Sequence, residues 1–87
     1  MKIPKRLATS IVDAVSKDEV KEKMGEDTVT VIKAALALGD SNKVAMLAAT
    51  LLGCLSIEDY AKLKKAVDSD EAFKMVVSNT AVFLTEE

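Results

Sequence analysis

Cys54 is the only cysteine in the 87-residue chain, and histidine is absent. A thiolate nucleophile needs a neighbouring base or cation to lower its pKa. Cys54 sits instead between Gly53 and Leu55, so it reads as a small buried hydrophobe. The missing histidines remove the commonest general base and a main zinc ligand, and one cysteine cannot build a thiolate cluster. The expectation is a protein that is not an enzyme and uses neither metal nor cofactor.

The fourteen acidic residues are the remaining source of acid–base chemistry. Most fall where a helix surface explains them. Asp18 and Glu19 stand in a helical first turn, where negative charge suits the helix dipole. Asp13 with Lys17, Glu19 with Lys23, and Glu58 with Lys62 have the i,i+4 spacing of surface ion pairs. The run Asp68-Ser69-Asp70-Glu71 lacks the twelve-residue ligand pattern and the sixth-position glycine of a calcium loop. Gly25, Gly39 and Gly53 are spaced as helix stops, not as a phosphate cradle.

The triplet Gly39-Asp40-Ser41 resembles the Asp-Ser-Leu attachment site of acyl and peptidyl carrier proteins. Those are acidic helical bundles whose serine, at the start of a helix, carries phosphopantetheine. The resemblance makes Ser41 the attachment position and Asp40 its preceding aspartate. It covers two or three residues only. Asn42 stands where the family has an apolar residue, and the acidic recognition helix is replaced by Lys43 and apolar sequence. A plain N-cap explains the same residues.

A helix-turn-helix can be drawn with Gly25 in its turn. Its recognition helix, TVTVIKAALAL, has one basic residue and few side chains able to read base edges. The net charge of −2 likewise argues against nucleic acid. Lys2, Lys5 and Arg6 at the N-terminus, and Lys62 and Lys65 further on, form a candidate basic contact face for an acidic partner or anionic lipid. A solvated helix face is the simpler account.

These residues must be carried by some fold, and the punctuation is helical throughout. The expected architecture is all-α: one domain over residues 1–87, a compact bundle of five or six short helices with an apolar central hairpin made of helices three and four. Pro4 suits the start of a helix running to about Val15. Ser16 with Glu19 has the spacing of a capping box for a helix over Lys17–Met24, which Gly25 ends. Asp27 should cap a helix over Thr28–Leu38, and Asp40 or Ser41 one over Asn42–Leu52. Ser56, with Asp59 reaching back, should start a fifth helix with Tyr60, Leu63 and Val67 facing inward. Asp68 with Glu71 marks a sixth, from about Asp70 to Leu84, with Phe73, Val76, Val77, Thr80, Phe83 and Leu84 on one side. Every connection is short, so neighbouring helices must pack together.

Helix four carries the strongest signal. After Lys43 it has no charge, and Val44, Met46, Leu47, Leu51 and Leu52, with Leu55 beyond, cover nearly its whole circumference. A helix apolar all round is buried all round. Either it is the central helix of a monomer, or one side is covered by another chain.

The longest apolar stretch, Val44 to Leu55, falls short of the ~20 residues that span a bilayer. Ser10 and Asp13 interrupt the N-terminal region where a signal peptide would be apolar. A small, soluble, cytoplasmic protein is expected, with a thin stability margin at this size and self-association as a natural supplement. With no catalytic groups and one over-apolar helix, the functional expectation is a regulatory or adaptor protein that binds another protein stoichiometrically and forms a homo-oligomer. In size and composition it resembles small inhibitors and timing factors of bacteria and their phages, a likeness that no motif carries.

Overall fold

The computed structural model describes residues 2–85, and the side chains of residues 2–80. Among the described residues the chain forms six helices and no strand. They are α1 (Lys5–Val15), α2 (Asp18–Met24), α3 (Glu26–Leu38), α4 (Ser41–Leu52), α5 (Ile57–Asp68) and α6 (Glu71–Thr85). The all-α bundle expected from the punctuation is the observed fold.

The junctions show how local chemistry sets the path. Gly39 ends α3 with φ of 73°, a left-handed conformation in which a β-carbon is disfavoured. Its N–H donates to the Leu36 carbonyl at 3.2 Å, and that of Asp40 to the Ala35 carbonyl at 2.9 Å, so otherwise orphaned carbonyls at the helix end are satisfied. Asp40 then serves the next helix, its Oδ1 accepting from the Lys43 N–H at 3.3 Å. Two residues therefore close one helix and open another. Ser56 caps α5 as expected, its Oγ accepting from the Asp59 N–H at 3.4 Å.

Three expected starts differ. Ser16 does not cap α2: it ends α1, and its hydroxyl donates to the Val12 carbonyl at 2.7 Å. The extended residue before α2 is Lys17, which has no side-chain cap. Asp27 does not cap α3, because the helix already begins at Glu26, directly after Gly25 at φ 91°. Asp27 sits in the first turn, where its charge still suits the dipole. At the last junction Asp70, not Asp68, accepts the Phe73 N–H, at 2.9 Å. Asp68 is the final residue of α5 and pairs with Lys64 at 2.8 Å.

The core runs through all six helices. Its largest wholly enclosed side chains include Leu7 and Ile11 of α1, Ile32 of α3, Leu51 of α4, Leu63 of α5 and Phe73 of α6. The short α2 contributes Val20. Helix α4 is central: it packs most extensively on α6, and also against α3, α2 and α5. The second main pairing is α1 with α5. Phe83 and Leu84, expected on the inner side of α6, lie outside the described side chains.

Candidate functional site

The apolar excess of α4 is mostly accounted for inside the chain. Val44, Ala45, Ala48, Leu51 and Leu52 are buried, and Leu47, Ala49 and Leu55 pack at the core's edge. Enclosure is not complete. Asn42, Lys43, Met46 and Thr50 face solvent, with Met46 54% exposed. At 100° per residue these four cluster on one side. The helix is therefore covered around more than half its circumference, and the expectation of burial all round is corrected on that face.

Helix α3 leaves two large apolar side chains exposed on one side. Val29, Ile32 and Ala35 are buried. On the opposite side Val31 and Leu38, 43% and 84% exposed, stand with exposed Ala34 at i, i+3 and i+7 spacing, one continuous stripe on a helix. The sequence signal at α4 was strong enough to hide this weaker one, although TVTVIKAALAL has a single charge all the way round.

Helix α5 holds a related correction. Tyr60 was expected inside and is 42% exposed. Leu63, Ala66 and Val67 set the buried side, and Tyr60 falls at its edge. Ile57, in the first turn, is 90% exposed.

The ionic contacts also differ from the i,i+4 expectation. Lys17 pairs not with Asp13 but with Asp59, forty-two residues away. Asp59 also accepts the Ser56 hydroxyl at 3.2 Å. The hydrogen bond from Lys17 holds the Asp59 carboxyl below its ordinary range, and the same bond raises Lys17. The pair borders a cleft of about 200 Å³ between α1 and α5, lined by Ser10, Asp13, Ala14, Lys17, Asp59, Lys62 and Leu63. This is below the ~300 Å³ at which ligand pockets begin. Glu19–Lys23 and Glu58–Lys62 are not among the ion pairs of the described residues.

Ser41 is buried, 8% exposed, in the first turn of α4, which leaves little of the residue open to a transferase. Cys54 is half-buried. Among the described residues, no group of three His, Cys, Asp or Glu could hold a metal ion. No helix is long and apolar enough to cross a membrane. At the start of α3, Glu26 and Asp27 would meet nucleic-acid phosphates with like charge.

The basic candidates Lys2, Lys5, Arg6, Lys62 and Lys65 are all exposed. Of these, Lys62 lines the α1–α5 cleft beside Asp13 and Asp59. The chain matches no protein family, no curated protein and no solved structure.

Proposed function

We propose that this is a non-enzymatic regulatory or adaptor protein that acts by binding another protein stoichiometrically. The observation that supports the reading is the outward stripe Val31, Ala34 and Leu38 of α3. A helix that is apolar on the side away from its own core carries surface that association would remove from water. Helix-in-groove recognition uses anchors at this spacing. Self-association through the same stripe is the homo-oligomeric form of the reading.

The test is a comparison of the wild-type protein with a Val31→Gln, Leu38→Gln variant. Each protein is immobilised and exposed to a lysate of the cells that make it, and retained proteins are quantified by mass spectrometry. A protein held at near-equal stoichiometry by the wild type and lost by the variant is the expected result. Equal retention by both proteins, or nothing retained by either, would remove the reading. Light scattering on the pure protein decides self-association separately: a clean monomer at high concentration removes the oligomer.

A further inference from the structure

We draw no further inference here: the strongest candidate, the exposed apolar pair Ile57 and Tyr60 on the first turn of α5, is an unpartnered helix face, and nothing in the structure shows what covers it.

Discussion

Lys17 donates a hydrogen bond to the carboxylate of Asp59 and so ties the α1–α2 junction to the first turn of α5. Asp59 also accepts the Ser56 hydroxyl, and its N–H donates to that same oxygen. One carboxylate thus joins a local helix cap to a contact between distant segments.

The pair makes stability depend on pH at both extremes. The folded Asp59 carboxyl is depressed, chiefly by Lys17. Its contribution is present above the unfolded carboxylate value and is lost as pH falls through the folded one. Lys17 is raised, chiefly by Asp59, so its contribution is complete below the ordinary lysine value and is lost as pH rises through the folded one. Lys64 and Asp68 shift in the same two directions for the same reason. Denaturant midpoints measured across pH should form a plateau with an acid and an alkaline limb. Lys17→Met should shrink both limbs, and limbs identical to wild type would show that the contact does not persist in solution.

Leu51 is wholly buried on α4, and Met46, five residues before it, is 54% exposed. Leu51→Ala should cost about 2–5 kcal/mol through lost burial and a residual cavity. That is a large part of the ~5 kcal/mol available to a domain of this size. Met46→Ala should cost less than about 1 kcal/mol. Urea denaturation reads both, and equal costs would mean that α4 is rotated from the orientation described.

The three glycines should respond differently to alanine. Gly39 is left-handed at φ 73°, and Gly25 is at φ 91° with ψ 144°, so alanine at either should cost about 1–3 kcal/mol. Gly53 has an ordinary right-handed φ of −71°. A β-carbon there would meet the Thr50 carbonyl oxygen at 3.5 Å, an ordinary contact. Gly53→Ala should be neutral or stabilise by up to about 1 kcal/mol. Thermal melts of the three variants check the ranking.

Caps offer a smaller test. Asp70 accepts the Phe73 N–H at 2.9 Å, whereas Ser16 makes no cap hydrogen bond to α2 and Asp27 lies inside the first turn of α3. Asp70→Ala should cost about 1 kcal/mol. Ser16→Ala should cost less, because its hydroxyl only doubles an acceptor inside α1, the Val12 carbonyl, that already receives a backbone N–H. A larger loss at Ser16 would restore the capping box.

Much of the fold was legible because helix stops and apolar periodicity are local. Gly25 and Gly39 ended helices where a left-handed residue was needed, and the α4 pattern marked the most enclosed helix. Capping was less legible. A serine three residues before a glutamate has the right spacing at position 16, yet the preceding helix claims Ser16 and uses its hydroxyl. Spacing does not say on which side of a junction a residue lies.

The candidate surfaces divide in the same way. Sequence alone determined the all-helical architecture, the absence of histidine beside a single cysteine, and the identity of the basic residues, since these follow from composition and from contacts within four residues. Tertiary structure decided which apolar faces are covered: most of α4 is enclosed, while Val31 and Leu38 of α3 face solvent. It also brought Lys17 to Asp59. The physical reason is that periodicity states how apolar a helix face is, whereas covering that face or neutralising a charge depends on neighbours distant in the chain.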